Sequence, residues 1–501
     1  MQCLRRFYDW RRNLLDGVTE YLRETYQVGQ DWNMQRVVVV VRGGRVGRLL
    51  LERLAVVAHA EGLALVRPNI ISPDQLASTL ITAFHKTADR LQCVCAWAQA
   101  LKQLDRETRE RLFPGKEIEN ASPQEMFNLV EQVARLHVEL AAEGYTFRQV
   151  AGEVSQPLGG FCDTARWNAL AEWQDGYLRV LASSALEDSY TARQAAIDGG
   201  QCAFQGDIVL ASVPELNRVA VELIEASGAR VTALVLAPES EAHGFDEWGR
   251  LQSSQWTSRQ LKIPEACWKV AGRPSDQIGG ALQFLSSLGG KYAADQIVVG
   301  IGDAALAAQT ARWLELAGVR ARPAAAKTVA QTGIGCLLRA IAEYLEDPSP
   351  ARSGALLRHP LITQWLTASG DVACPERLAE TLDTVLGHCA PTCFPEEWPR
   401  ELEEWLKAPV EDLNRAVHAV NQVLAPLRNQ DLTLSTAAGC ICELLIELLQ
   451  GVQIQKAGDS ELYESLVAIR EPVQSLHSLG ETPDLDMACS GSGACRIVES
   501  I

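Results

Sequence analysis

The sequence predicts an α/β protein in which parallel-sheet lobes of the P-loop type carry large all-helical insertions. An unbroken run of valines, Val37–Val41, is followed by a glycine-rich turn, a helical pattern up to Gly62 and a second strand candidate, Leu63–Ile71. Continuous β-branched runs of this kind are typical of strands that are buried on both faces of a parallel sheet. Further strand-like runs return after residue 206, and long stretches of purely helical pattern separate the strand segments.

Residues 1–30 precede the first strand and predict an amphipathic helix. Leu4, Phe7, Leu14 and Leu22 belong to a set of apolar side chains that fall close to one helical face. The arginines of this segment could contact DNA or a partner protein, or could simply form a solvated rim.

The turn after the first strand, residues 42–48, stands where a P-loop protein holds the phosphates of a nucleotide. Its glycines are Gly43, Gly44 and Gly47, and its arginines are Arg42, Arg45 and Arg48. A working phosphate loop also needs a Lys for the terminal phosphates and a Ser or Thr hydroxyl for Mg²⁺, and this turn has neither. We therefore interpret it as a degenerate loop that does not support ATP hydrolysis. Its arginines either contact an anion at the helix N-terminus or are simply solvated.

A second α/β unit is predicted to complete the first lobe. The strand candidates Asp207–Ser212 and Val231–Ala237 bracket a helix over Pro214–Ser227. Their apolar composition predicts that they join the sheet of Val37–Val41, so that a helical insertion interrupts a single domain. A P-loop enzyme needs a carboxylate pair after the first of these strands to hold Mg²⁺, and only Glu215 is near, where it also suits a helix start.

A third α/β unit carries a possible cofactor motif. It is predicted from a helix over Gln277–Leu288, a strand over Gln296–Gly300 and a helix over Asp303–Ala317. The turn Gly300–Ala305 has the form of a dinucleotide fingerprint. A Rossmann site also needs an acidic residue about 20 positions further on, where this sequence has Arg320 and Arg322. The incomplete fingerprint favours a simple glycine turn, with a nucleotide-dependent enzyme as the alternative.

The rest of the chain predicts helices, apart from an irregular end. Turn residues without a helical period fill residues 481–501, which predicts a tail cut short. The predicted organisation is an N-terminal helix at 1–30, a discontinuous first lobe at 31–85 and 200–272, a first helical insertion at 86–199, the start of a second lobe at 273–335, a second helical insertion at 336–480, and the tail at 481–501.

Composition limits the partners and the compartment. A net charge of −17 over 501 residues, with an isoelectric point near 5.1, argues against a strong nonspecific grip on nucleic acid by the whole surface and leaves room only for a local basic groove. No run approaches the roughly 18 apolar residues that a membrane helix needs, so no membrane partner is expected. Fourteen cysteines behind an N-terminus without signal-peptide character predict reduced thiols in the cytoplasm.

Two cysteine groups come near to metal-ligand spacing. They are His388 and Cys389 with Cys393, and Cys489 with Cys495. Neither group supplies the four ligands of a structural zinc site, so the sequence predicts no metal and no other cofactor.

Several segments carry a resemblance to a known family. They are VVVVVRGGRVGRLLLERLA at 37–55, VARLHVELAAEGYTF at 133–147, HGFDEWGRL at 243–251, IVVGIGDAALAAQTARWLELAGVRA at 297–321 and ALLRHPLITQWL at 355–366. In pattern and order, over about residues 30–480, the chain resembles the B subunit of the AddAB helicase–nuclease in its N-terminal half. That half is built like a superfamily 1 helicase, with two α/β lobes that each carry a helical insertion, and has often lost its motor function.

The resemblance implies a non-catalytic, helicase-like scaffold in double-strand-break end processing and recombinational repair. Its partners would be an AddA-type helicase–nuclease subunit and double-stranded DNA ends, and Arg42, Arg45 and Arg48 would contact DNA phosphates. The family's C-terminal PD-(D/E)XK nuclease domain has no counterpart in this sequence. We therefore expect neither motor nor nuclease chemistry from this chain. The nucleotide-dependent enzyme and a truncated, non-functional fragment stay open as alternatives.

Overall fold

A computed structural model describes residues 3–83, 86–118, 121, 123–154, 163–257, 259–260, 263–293, 296–303, 305–319, 321, 327–372, 374–389, 395, 397–406, 410–450, 452 and 460–500. The strands are β1 (Leu4–Phe7), β2 (Gln27–Val28), β3 (Asp31–Asn33), β4 (Val37–Val40), β5 (Ala64–Val66), β6 (Asn69–Ile71), β7 (Asp207–Ala211) and β8 (Arg230–Val235).

Helices make up most of the described chain. They are α1 (Leu14–Tyr26), α2 (Gly44–Glu61), α3 (Leu76–Leu80), α4 (Arg90–Gln103), α5 (Arg106–Leu112), α6 (Pro123–Ala142), α7 (Phe147–Val154), α8 (Thr164–Ser183), α9 (Ser189–Asp198), α10 (Arg218–Ser227), α11 (Ser253–Trp256), α12 (Pro274–Ser287), α13 (Ala305–Leu316), α14 (Gly333–Glu346), α15 (Pro350–Leu357), α16 (Pro360–Ala368), α17 (Pro375–Cys389), α18 (Glu401–Leu406), α19 (Val410–Leu424), α20 (Leu434–Leu448), α21 (Ser460–Ser478) and α22 (Gly491–Ser500). Among these described helices, none is both long and apolar enough to cross a lipid bilayer.

The α/β part is built on a five-stranded parallel sheet in the order β1-β8-β7-β4-β6. The central strand β4 is buried along its whole length, and its side chains alternate between two cores. Val38 and Val40 pack with α10 and α3 on one face, whereas Val37 and Val39 pack with α1 and α2 on the other. The prediction that the strands after residue 206 join the sheet of the first strand is confirmed.

The predicted strand Leu63–Ile71 is two short strands in two sheets. Strand β6 pairs with β4, while β5 pairs with β3 in a small sheet that also contains β2. Pro68 separates the two strands. Because proline has no backbone N–H to give to a ladder, it ends one pairing before the next begins.

The prediction of one helix over residues 1–30 is wrong at its start. Residues Leu4–Phe7 form β1, which pairs in parallel with β8 at the edge of the sheet. The helix begins only after Asn13, whose side chain accepts a hydrogen bond from the Leu15 N–H. A turn at Asp9, whose carboxylate accepts from the Arg11 N–H, joins the strand to the helix. The free edge of β8, and not the local pattern, decides the conformation of these first residues.

The two predicted helical insertions share one hydrophobic core. Buried side chains of α4, α6 and α8 belong to the same cluster as those of α14, α19 and α20. Close approach of α4 to α8 places Ala100 Cβ only 3.3 Å from the position that a Cβ on Gly176 would occupy. Residues of the segments 86–199 and 336–480 therefore contribute to one core, and we call these helices together the helical domain.

A buried polar network joins α6, α8 and α9 within this core. His137 Nε2 lies 3.3 Å from Asp188 Oδ2, and Tyr177 Oη donates to the same oxygen over 2.9 Å. Gln174 accepts from the Phe147 N–H through Oε1, so its Nε2 donates to His137 Nδ1 over 2.9 Å. We therefore assign the ring proton of His137 to Nε2, which donates a hydrogen bond to Asp188.

The prediction of an irregular tail at 481–501 holds for residues 482–490 and is wrong from Gly491 on. Residues Gly491–Ser500 form α22, which packs against α14 with Ala494, Ile497 and Val498 buried. The Ser490 hydroxyl accepts from the Gly493 N–H at the start of this helix. Small residues suggested a turn, but they allow close packing: a Cβ on Gly491 would lie 2.2 Å from a backbone oxygen.

The strand predicted over Gln296–Gly300 is absent, although both of its flanking helices, α12 and α13, are present. Val298 is 85 % exposed, and no described residue pairs with this segment as a strand. A β-branched run becomes a strand only when a neighbour satisfies its main chain. The predicted second lobe is therefore limited, in the described chain, to two helices and the segment between them.

Candidate phosphate-binding site

The carboxyl ends of β4 and β7 form the crevice in which doubly wound sheets bind ligands. The chain leaves β4 toward β6 on one side and later returns to β7 on the other side. Such a reversal of direction opens a crevice at the carboxyl ends of the two strands. Here Arg42, which follows β4, donates to Glu215, which follows β7, over 2.8 Å. An ion pair thus bridges the place where a P-loop enzyme holds phosphate and metal.

The glycine-rich turn is too short to wrap around a phosphate. Helix α2 begins at Gly44, and Gly43 is an extended residue with φ −179°. Gly47 lies inside the helix, where a Cβ would come within 3.1 Å of the Ile70 side chain. It is therefore a packing glycine that lets α2 approach β6. What remains for an anion is a helix N-terminus with its first N–H groups free of helical acceptors.

Ser212 marks the end of β7 with a strained backbone. It has φ +51°, a left-handed conformation that non-glycine residues seldom adopt. Its N–H donates to the Leu234 carbonyl over 2.8 Å, which holds the turn toward β8. The turn carries the chain toward Pro214 and Glu215. No sequence signal pointed to this strain, since serine is an ordinary residue at a strand end.

Arg45 and Arg48 face a cleft between the α/β part and the helical domain. The cleft has a volume of about 920 Å³, and residues of α2, α4, α6 and α21 line it. Arg90 and Lys327 add two further cations to its wall. Its apolar lining comes from Leu91, Val94, Phe127, Val329 and Val467. The three arginines that the sequence singled out are thus divided: Arg42 bridges the crevice, and the other two line the cleft.

The other two cations of the cleft form ion pairs, whereas the two arginines of α2 do not. Arg90 pairs with Glu131 over 2.5 Å, and Lys327 pairs with Glu461 over 3.3 Å. Within the described residues, neither Arg45 nor Arg48 has a hydrogen-bond or ion-pair partner, and both are exposed. The lining also contains Asp89, Glu131, Glu464 and Glu471, so it holds as many acidic as basic groups, and Arg45 and Arg48 are its cations without a direct partner among the described residues.

Arg90 and Lys327 were not identified from the sequence. They lie about 40 and 280 residues after the glycine turn, and folding of the helical domain brings them to it. A local sequence pattern cannot predict that residues so far apart in the chain line the same cleft. Only the Asp89 cap, which accepts from the Gln92 N–H over 2.8 Å, fixes the start of α4 locally.

The dinucleotide alternative lacks its structural context. Gly300–Ala305 precedes α13, but the strand that should lead into the turn is absent. Arg320 and Arg322 lie outside the described residues. A fingerprint works because a sheet holds the turn at the helix N-terminus, and here the described chain supplies no such sheet.

Cys489 and Cys495, one of the two cysteine groups, are buried. Burial raises the pKa of both the Cys489 and the Cys495 thiols to about 12. Cys393, the third member of the other group, lies outside the described residues. No cluster of three or more metal-ligating side chains occurs in the part of the chain that the structure describes.

Comparison with known proteins leaves the family open, because no protein-family model and no curated protein matches this chain. The resemblance to the AddB-type subunit therefore stays a prediction from sequence pattern.

Proposed function

We propose that this chain is a non-catalytic, helicase-like scaffold that holds DNA phosphates at double-strand-break ends, alongside an AddA-type helicase–nuclease subunit. The observation that carries the proposal is the division of the glycine-turn arginines. Arg42 is engaged by Glu215 in the crevice, whereas Arg45 and Arg48 stand unpaired in the cleft. Phosphate contacts need exposed cations, and nucleotide hydrolysis needs a crevice that is free for Mg²⁺ and phosphate.

The chemistry of the crevice supports binding without turnover. A P-loop Lys approaches the terminal phosphates as a point charge, and a hydroxyl completes the Mg²⁺ shell. Here the turn has neither group, and the one carboxylate nearby, Glu215, accepts from Arg42. An arginine that is already neutralised contributes little to the stabilisation of a developing phosphoryl charge.

The experiment is a salt titration of DNA binding, measured by fluorescence anisotropy with a labelled duplex. Each phosphate contact contributes about 0.9 to the slope of log K against log salt concentration. Replacing both cleft arginines, Arg45→Ala with Arg48→Ala, is expected to weaken binding and to lower that slope by about 2. The wild-type protein is expected to show no DNA-stimulated hydrolysis of ATP in the same buffer.

A matched control removes two cations elsewhere. Lys102 on α4 and Arg166 on α8 are exposed and have no side-chain partner among the described residues. The double variant Lys102→Ala with Arg166→Ala is expected to keep the wild-type slope. If the cleft variant and the control give the same slope, the cleft does not hold phosphates. DNA-dependent ATP turnover by the wild-type chain would contradict the non-catalytic part of the proposal.

A further inference from the structure

Exposed apolar side chains concentrate in one segment, residues 263–319. Of the twenty-two large hydrophobic residues that are exposed in the described chain, eleven lie in these positions. Helices α12 and α13 pack mainly against each other, and only Ile278, Thr310 and Leu314 are buried in them. We call these eleven exposed side chains the apolar face. A concentration of exposed apolar side chains on a folded protein marks a contact with another surface.

The main chain between α12 and α13 is also unpaired. The N–H groups of Ile297 through Gly302 make no hydrogen bond to the main chain of any described residue. The sequence of this segment, Ile297-Val298-Val299, is that of a strand buried on both faces. Unpaired donors beside β-branched side chains form a template onto which another strand can add. A β-strand is the kind of partner that would satisfy these main-chain groups.

The apolar face differs in charge from the rest of the molecule. Residues 263–319 contain four Lys or Arg and five Asp or Glu, which gives a net charge of −1. The whole chain has a net charge of −17. When two copies meet through the apolar face, their nearly neutral segments come together and the more acidic rest of each chain stays apart. A strongly basic partner, by contrast, would find little attraction there.

We propose that the apolar face is an interface between two copies of this chain, in which the two Ile297–Ile301 segments pair as antiparallel strands across a twofold axis. A twofold contact is self-complementary, so one exposed strand supplies both sides of the ladder. The pair satisfies the free N–H and C=O groups of both copies. Helices α12 and α13 of each copy then cover the new ladder with their apolar side chains.

The exposed apolar area of this segment is similar in size to one side of a standard interface. The exposed surface of the eleven side chains is on the order of 1,000 Å², and a standard interface buries about 800 Å² per partner. Val298 in the strand segment is 85 % exposed, and Phe284 in α12 and Leu316 in α13 are 66 % and 76 % exposed. A lysine at Val298 would place a charge in the centre of the ladder.

The test is the molar mass of the full chain in solution, from sedimentation velocity over a wide range of concentrations. The wild-type protein is expected to be a dimer that dissociates on dilution. Val298→Lys and Leu316→Lys are each expected to give a monomer with an unchanged far-UV circular dichroism spectrum. The control is Ile446→Lys, because Ile446 on α20 is 71 % exposed and lies outside the apolar face. This control is expected to stay dimeric.

Amide hydrogen exchange tests whether the strand segment itself forms the interface. In the wild-type dimer, the amides of residues 297–302 are expected to exchange more slowly than in the Leu316→Lys monomer. A wild-type chain that is monomeric at every concentration overturns the proposal, and so does a dimer that Val298→Lys leaves intact. A monomer whose apolar face binds a different polypeptide would equally show that the second copy is the wrong occupant.

Discussion

Replacing Asp188 with alanine should destabilise the helical domain more than any surface change. This carboxylate caps α9 by accepting from the Tyr190 and Thr191 N–H groups, and it also accepts from His137 and Tyr177. Loss of an N-cap costs about 1 kcal/mol. Each of the two donors left buried without an acceptor costs about 1–3 kcal/mol. The variant is therefore expected to lose about 4 kcal/mol of unfolding free energy, a large part of what a domain possesses.

The same carboxylate gives the stability a dependence on pH. Burial acts to raise the pKa of Asp188, but the hydrogen bond from His137, with further hydrogen bonds from the Thr191 N–H and Tyr177, outweighs it and holds that pKa at about 2. A carboxylate whose pKa is depressed on folding stabilises the protein above the unfolded pKa, near 4. That contribution, about 2 kcal/mol from the size of the shift, is lost as the pH falls from about 4 through about 2.

The assay is urea unfolding of the full chain followed by tryptophan fluorescence, at pH 7 and at pH 3. Trp97, one of twelve tryptophans, stacks on Tyr177 at 4.2 Å between ring centroids, so the emission includes a signal from the network. The control is Asp105→Ala, which removes an exposed cap on α5 that accepts from the Thr108 N–H. This control is expected to shift the midpoint several-fold less than Asp188→Ala does. Equal shifts for the two variants, or a loss for Asp188→Ala that is the same at both pH values, would refute the reasoning.

Two further predictions concern the C-terminal helix and the weakly packed segment. Gly491→Ala should lower the free energy of unfolding by about 1–3 kcal/mol, because its Cβ would meet the Leu427 carbonyl at 2.2 Å. Gly439→Ala, with nothing within 4 Å of its Cβ, should instead stabilise α20 by about 0.5–1 kcal/mol; the same urea titration measures both, and a harmless Gly491→Ala would argue against α22 as part of the core. Limited proteolysis of a dilute sample should cut first within residues 263–319, since that segment has few buried side chains. First cuts within α20 or α22, mapped by mass spectrometry, would contradict this order of stability.

The central sheet could be predicted because its strands carry a local signal. Strands β4, β7 and β8 are buried on both faces, and a strand of that kind needs a continuous apolar run. Strand β1 lies at the edge with Leu4 exposed, and its four residues contain two arginines. Nothing in that sequence distinguishes it from a helix start, because its conformation depends on the open edge of β8.

The opposite error occurred at Gln296–Gly300 and at the C-terminus. The first segment has strand-forming residues but no described strand beside it, so a local preference is not realised. The second, Gly491–Ser500, has glycines and serines that disfavour a helix in isolation, yet the hydrophobic core selects one. Tertiary contacts override weak propensities in both directions.

The candidate site divides in the same way. Arg45 and Arg48 follow a recognisable strand and glycine turn, so their position at a sheet edge could be predicted. Arg90 and Lys327 line the same cleft only because the helical domain packs beside the sheet, and a local residue pattern does not predict that packing.

The Arg42–Glu215 pair separates phosphate binding from phosphate chemistry. Its side chains are 60 % and 69 % exposed, and exposed pairs contribute only about 0–1 kcal/mol. The sheet is held together by the buried valines of β4, so the consequence of the pair is electrostatic. A phosphate entering the crevice meets an arginine that is already neutralised and a carboxylate that repels it. Arg45 and Arg48 stand further along the turn and into α2 and face the cleft, where an anion can bind without displacing Glu215. The position of the unpaired cations outside the crevice therefore supports the proposed phosphate contact and not the alternative of nucleotide hydrolysis.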